Sequence, residues 1–274
     1  MQWFRQTFNF YLDASIHVAL AVTSLYFVSL ELLKVSTNWN LANFLFFGTI
    51  VCYNFVKFGV EAEKYLIVRN PYHKIIQGFS FLSFAFALYF FFLLELKIEV
   101  AIVALMGVAV LYAIPLLPKA KNLRNFAGLK TFLVALVWTG CTVVLPVIDN
   151  QLEITWDIWI LGFQRFLLVL ILLLPFEIRD MKYDSPELKT LPQRIGITKT
   201  KVLGYVLVQV YFLSSFLKDE LTNIEIIAKL LLSILMLILL KLTKKNQNTY
   251  FSSFVVESVP FILLVLLLLI KSLF

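Results

Sequence analysis

At 274 residues, with a mean hydropathy of +0.88, 61% hydrophobic residues and 15% charged ones, the chain has the composition of a bilayer protein and excludes a water-soluble domain. A net charge of +7 would suit a nucleic-acid partner, but the bases fall in short loops between apolar runs, the distribution that membrane topology demands, so nucleic acid is not expected. Cys52 and Cys141 both lie inside apolar runs, where a thiol behaves as a small hydrophobe, so neither a disulfide frame nor a metal cluster is implied.

From the N-terminus, Trp3, Phe4, Phe8 and Tyr11 recur at roughly helical spacing beside Arg5, the pattern of an amphipathic segment at the membrane interface. Asp13 and His17 interrupt what would be the apolar centre of a cleavable signal, so the segment is expected to be retained. A spanning helix needs about 20 mostly apolar residues. Runs approaching that length are Tyr11 to Leu33, Leu41 to Val60, Ile75 to Leu94 and Val100 to Leu117. Lys130 to Ile148, Trp156 to Phe176, Val202 to Leu217, Ile226 to Leu240 and Tyr250 to Ile270 follow, the seventh and eighth being short. The expectation is an all-α integral membrane protein of nine transmembrane helices.

Lys and Arg accumulate in cytoplasmic loops. Threading nine spans puts 18 of these residues on one side and only Lys34, Lys97, Lys218 and Lys271 on the other, leaving Arg165 and Lys229 inside spans. The N-terminus is therefore expected in the cytoplasm and the C-terminus on the opposite side of the membrane, the cell inner membrane if the source is bacterial. No linker or internal repeat divides the chain, so residues 1–274 read as one domain with cytoplasmic loops near 61–74, 118–130, 177–201 and 241–249.

Polar residues within spans are candidates for function. Asp13 and His17 can pair at i, i+4, which suits an interfacial contact as well as a site. Arg165 has either a structural partner such as Asp157 or an acceptor carboxylate. Lys229 can pair with Glu225 one turn earlier, and Glu257 suits a cavity or a structural contact equally.

The stretch FEIRDMKYDSPELKTLPQRIG, from Phe176 to Gly196, carries four acids and four bases. Asp180 and Asp184 are four residues apart, so a helical extension of the sixth span places both carboxylates on one face. Such a pair can hold Mg²⁺, which takes one or two carboxylates plus waters and phosphate oxygens. Arg179, Lys182, Lys189 and Arg194 can neutralise a polyanion beside it. A solvated mixed-charge loop is the alternative reading.

The order Arg179-Asp180, Asp184, Lys189-Thr190-Leu191-Pro192 and Gly196 resembles the UbiA superfamily of intramembrane prenyltransferases. Tyr112, Pro115, Lys119, Lys121, Gly128-Leu129-Lys130 and Trp138 agree with it in order. The resemblance implies a nine-helix bundle around a lipid-facing cavity, with two aspartate-rich motifs holding Mg²⁺ and a prenyl diphosphate. It implies Asp180 and Asp184 as catalytic metal ligands, and Asn54, Lys130, Arg179 and Lys189 as diphosphate-binding residues. The implied activity is transfer of a polyprenyl group to an aromatic or related ring acceptor.

The first family motif is degenerate. The segment YNFVKFGVEAEKY keeps Asn54 but has Phe55, Phe58 and Ala62 where aspartates are expected. Glu61 and Glu63 could serve only with a shifted register. Lys57 is either a fixed ammonium for phosphate or a snorkelling helix-end lysine. The loss leaves a second reading open, a member that binds an isoprenoid lipid or a partner protein without turnover. A membrane transporter is a third.

Overall fold

The computed structural model describes residues 2–60, 70–113, 129–184 and 190–273. Among them the regular elements are helices: α1 (Gln2–Asp13), α2 (Ile16–Leu33), α3 (Trp39–Asn54), α4 (Pro71–Phe91), α5 (Leu96–Ala113) and α6 (Leu129–Thr139). Then come α7 (Leu145–Asp149), α8 (Trp156–Asp180), α9 (Leu191–Leu213), α10 (Asn223–Leu242) and α11 (Val259–Leu273). Stretches of π-helix continue α3 over Phe55–Val60, join α6 to α7 over Gly140–Val144, and precede α11 over Phe251–Val256. Eight segments among the described residues are long and apolar enough to cross a bilayer. α5 occupies the place of the expected fourth span, whose end at residues 114–117 lies outside the described residues. The chain is an all-α integral membrane protein.

Local chemistry sets the helix ends. Asn38 caps α3 by accepting from the amides of Asn40 and Leu41 at 3.0 and 3.2 Å. Asn70 accepts from the Tyr72 amide at 2.9 Å, with Pro71 at the first helical position of α4. Gln193 Oε1 accepts from the Thr190 amide at 2.9 Å and closes the first turn of α9, which starts at Leu191, well before the expected Val202. Gly196 then breaks the helix at φ 80°, a conformation that a side chain would strain.

The first span begins at Ile16 and not at Tyr11. Ser15 takes a left-handed conformation (φ 60°) and ends α1 as a separate amphipathic helix. That turn is held by Asn54, which accepts from Ser15 Oγ at 2.7 Å and donates to the Ala14 carbonyl at 3.2 Å.

α8 packs against α6 and α9, while α2 packs against α3 and α11, and α11 also meets α10. One core surrounds Leu168, Ile171, Leu232, Val259 and Leu263; a second surrounds Tyr26, Leu41, Ile98 and Leu145. Lipid is as apolar as these side chains, so close packing and hydrogen bonds between helices hold the bundle. The outward faces are correspondingly apolar: Phe81, Phe84, Phe86 and Tyr89 of α4 are all exposed.

Candidate functional site at the Asp180 end of the bundle

α8 extends to Asp180, as a paired-aspartate reading requires. The Asp184 amide donates to the Asp180 carbonyl at 2.9 Å, so the two aspartates are one helical turn apart along the chain. Arg179 grips Asp180 in a fork, with Nε 2.7 Å from Oδ1 and Nη2 3.2 Å from Oδ2. Its Nη1 donates to Ser253 Oγ at 3.1 Å, which ties α8 to the π-helical stretch before α11. The guanidinium also lies 5.1 Å from the centre of the Phe176 ring. One turn before, Glu177 accepts from the hydroxyl of Thr131 on α6.

The end of α3 supplies the facing side. Asn54 is buried, and beyond its bonds to the α1–α2 turn it donates to Ser80 Oγ of α4 at 2.9 Å. Its amide therefore joins three helices. The Lys57 ammonium is 3.3 Å from Asp13 Oδ1, and the other Asp13 oxygen accepts from the Tyr72 hydroxyl at 2.8 Å. Asp13 is thus engaged across to α3 and α4. The expected pairing of Asp13 with His17 is absent, because the Ser15 turn interrupts the helical register between them.

His17 instead donates from Nε2 to the Phe254 carbonyl at 3.0 Å, which leaves Nδ1 to accept from the Tyr11 hydroxyl at 2.6 Å. Burial pushes the Tyr11 phenol above its ordinary value, and the negative charge of Glu257 acts in the same direction.

Glu257 connects the two sides. It follows the stretch Phe251–Val256 and lies within Coulombic reach of both Arg179 and Lys57. One carboxylate on the last span therefore feels the charge of a cation from the end of α8 and of a cation from beyond the end of α3.

Sequence reasoning singled out Asp180, Asp184, Asn54, Lys130, Arg179 and Lys189. Lys189 and the side chain of Lys130 lie outside the described residues, as do Glu61 and Glu63. Arg179 and Asp180 are brought together directly, and Asn54 is committed to helix contacts. The electrostatic coupling of Lys57 with Glu257 was not anticipated. Its signal is the π-helical geometry of Phe55–Val60 and Phe251–Val256, an irregularity often found at functional sites and invisible to hydropathy.

No group of three or more His, Cys, Asp or Glu residues forms a metal cluster among the described residues. A single Mg²⁺ with water and phosphate ligands needs only one or two carboxylates, and of the pair a turn apart Asp180 has both oxygens engaged by Arg179. Beside the α3 end, the described side chains are a committed amide and a lysine paired with Asp13, whose other oxygen is held by Tyr72, a set that does not suit a second ion.

The polar residues of the other half of the bundle are placed differently from expectation. Asp157 accepts from the amides of Asp219 and Glu220 at 2.7 and 3.1 Å and is not the partner of Arg165. The expected pair of Lys229 with Glu225 is present at 2.5 Å.

No protein-family model and no curated protein matches the chain. Solved structures do. A UbiA homolog from Archaeoglobus fulgidus bound to GPP and Mg²⁺ aligns with a TM-score of 0.53 at 11% identity, covering 96% of both chains. The homolog bound to DMAPP and Mg²⁺ gives 0.52 at 10% identity, again over 96% of each chain. A further structure of a UbiA homolog from that organism gives 0.51 at 12% identity, covering 96% of this chain and 94% of the other. At such identities the likeness is one of fold, and it runs through almost the entire sequence: the protein is built on the UbiA fold.

Proposed function

We propose that this chain is a UbiA-superfamily prenyltransferase, which transfers a polyprenyl group from its diphosphate to an aromatic or related ring acceptor within the membrane. What supports the reading is the fold shared with UbiA homologues bound to GPP or DMAPP and Mg²⁺, together with the Arg179–Asp180 pair at the end of α8 and Lys57 beyond the end of α3. In this reading the Asp180 end faces the cytoplasm, as does the N-terminus, and the C-terminus lies opposite.

Asp180 and Asp184 would hold Mg²⁺, which when bound supplies charge stabilisation to the departing diphosphate. Arg179, with Lys130 and Lys189 from the flanking loops, binds the diphosphate oxygens. An incoming phosphate competes for the Arg179 fork and frees the Asp180 oxygens. Lys57 adds a positive charge on the side where the family's first aspartate motif is missing, and Asn54 fixes the helix end that carries it. The apolar interior keeps water from the allylic carbon while a ring carbon forms the new bond and loses its proton.

The Arg179 fork on Asp180 and the replacement of the first motif's aspartates by Phe55, Phe58 and Ala62 also support a second reading, a protein that binds prenyl lipids without turnover. Purified protein incubated with prenyl diphosphates, Mg²⁺ and a panel of ring acceptors separates the two. Transfer predicts diphosphate release and a prenylated product, with release reduced at least about 100-fold in Asp180→Asn/Asp184→Asn. Equal release from wild type and double variant across the panel removes the transferase reading; retained binding of radiolabelled prenyl diphosphate then supports the second.

A further inference from the structure

A second polar cluster lies buried in the half of the bundle away from Asp180, and the chemistry above does not use it. Arg165 of α8 and Lys229 of α10 are 2% and 3% exposed, and Tyr211 of α9 is 2% exposed. All three line one small cavity whose other walls include Val28, Leu32, Leu168 and Leu263. The space admits the centre of a water-sized sphere over about 10 Å³, room for a single small occupant.

The hydrogen bonds around it leave donors over. Arg165 Nη1 donates to the Leu25 carbonyl at 2.7 Å and to Thr142 Oγ1 at 2.8 Å, and Nη2 donates to Ser29 Oγ at 3.1 Å. A guanidinium has five N–H groups, so two remain. Lys229 donates to Glu225 at 2.5 Å and to Gln164 Oε1, so one of its three remains. The Tyr211 hydroxyl has no hydrogen-bond partner among the described residues and lies within Coulombic reach of Arg165.

Gln164 Oε1 is already taken by Lys229, and its amide nitrogen is committed to Ser214, Ser215 and the Tyr211 carbonyl. The free acceptors are the Tyr211 oxygen and the second lone pair of Gln164 Oε1, whereas three of the free donors belong to cations and favour an anion over water. Charge points the same way. Among the described residues the cluster holds Arg165, Lys229 and Lys218 against one carboxylate, Glu225, which both lysines share. An uncompensated charge within a membrane span is costly unless something of opposite sign meets it.

We propose that this cluster is a binding site for one small monovalent anion of the size of chloride, held by Arg165, Lys229 and Tyr211. Its apolar walls exclude a hydrated or multivalent ion, and its location separates it from the diphosphate end.

The test is thermal unfolding of the detergent-purified protein, followed by the fluorescence of its five tryptophans, with gluconate replaced by chloride or bromide at constant ionic strength. The expected result is a saturable rise in Tm with chloride and bromide and none with sulfate. Tyr211→Phe removes one donor and no charge, and should raise the half-saturating chloride concentration about tenfold, the effect of one hydrogen bond to a charged group. Arg165→Gln should abolish the response; if that variant does not fold, Tyr211→Phe decides. Equal Tm in gluconate and chloride overturns the proposal. So does an unchanged half-saturation in Tyr211→Phe, which would place the ion elsewhere.

Discussion

Glu225→Gln is the most informative single change for the stability of the bundle. Glu225 is 3% exposed and accepts from Lys218 at 2.9 and 3.0 Å and from Lys229 at 2.5 Å. The amide keeps the shape but offers one acceptor in place of a shared charge, and it turns an N–H₂ towards one of two ammonium groups. Removing one partner of a buried ion pair costs about 3–5 kcal/mol, because the other charge remains desolvated. For a chain of this length each kcal/mol corresponds to about 2–4 °C, so the loss in Tm is about 6–20 °C. Glu225→Gln/Lys229→Met removes the stranded ammonium as well and should recover at least about half of that loss, since buried ion pairs are often replaceable by apolar groups. Thermal unfolding in detergent measures both. A single variant within about 2 °C of wild type, or a double variant no better than the single one, refutes the view that Glu225 serves to neutralise the lysines.

Gly204→Ala places its Cβ 2.9 Å from a Leu240 methyl and 3.0 Å from a Leu174 methyl, where α9 meets α10 and α8, and should destabilise by about 1–3 kcal/mol in the same assay. Asn54→Ala leaves Ser15, Ser80 and the Ala14 carbonyl without their shared amide; a loss of about 1–3 kcal/mol and faster limited proteolysis between α1 and α2 are expected. Lys57→Gln, at a side chain 44% exposed, should leave Tm unchanged but raise the KM for prenyl diphosphate about tenfold, as loss of a charge-assisted contact does. An unchanged KM would return Lys57 to the role of a snorkelling helix-end residue.

Hydropathy made the spans legible because the bilayer requires long apolar helices, and the positions of α3, α4, α6, α8 and α10 follow it closely. The ends follow other rules. α9 begins where Gln193 reaches back to the Thr190 amide and at a proline within a polar stretch, which no apolar window detects. The α1–α2 break depends on Ser15 meeting Asn54 across 39 residues of chain, a contact that local pattern cannot express. The spacing of Asp180 and Asp184 was readable because it is a local helical property. The pairing of Asp157 was not, since its partners are amides of a loop more than sixty residues away.

The two ends of the bundle handle charge in opposite ways, and this difference bears on where chemistry can occur. At the α8 C-terminus, the Arg179–Asp180 and Lys57–Asp13 pairs are partly accessible, with side-chain exposures between 21% and 44%. Pairs of that kind contribute little to stability, so an anionic ligand can displace one partner at small cost. At the other end, Glu225 and Lys229 are sealed among apolar walls, where separating them is prohibitive. A polyanion can therefore rearrange the first set of charges, whereas the second can only accommodate what fits between charges already fixed. Exchangeable pairs beside Asp180, combined with a rigid opposite half, are what a bundle needs to admit a diphosphate at one end while its helices keep their places.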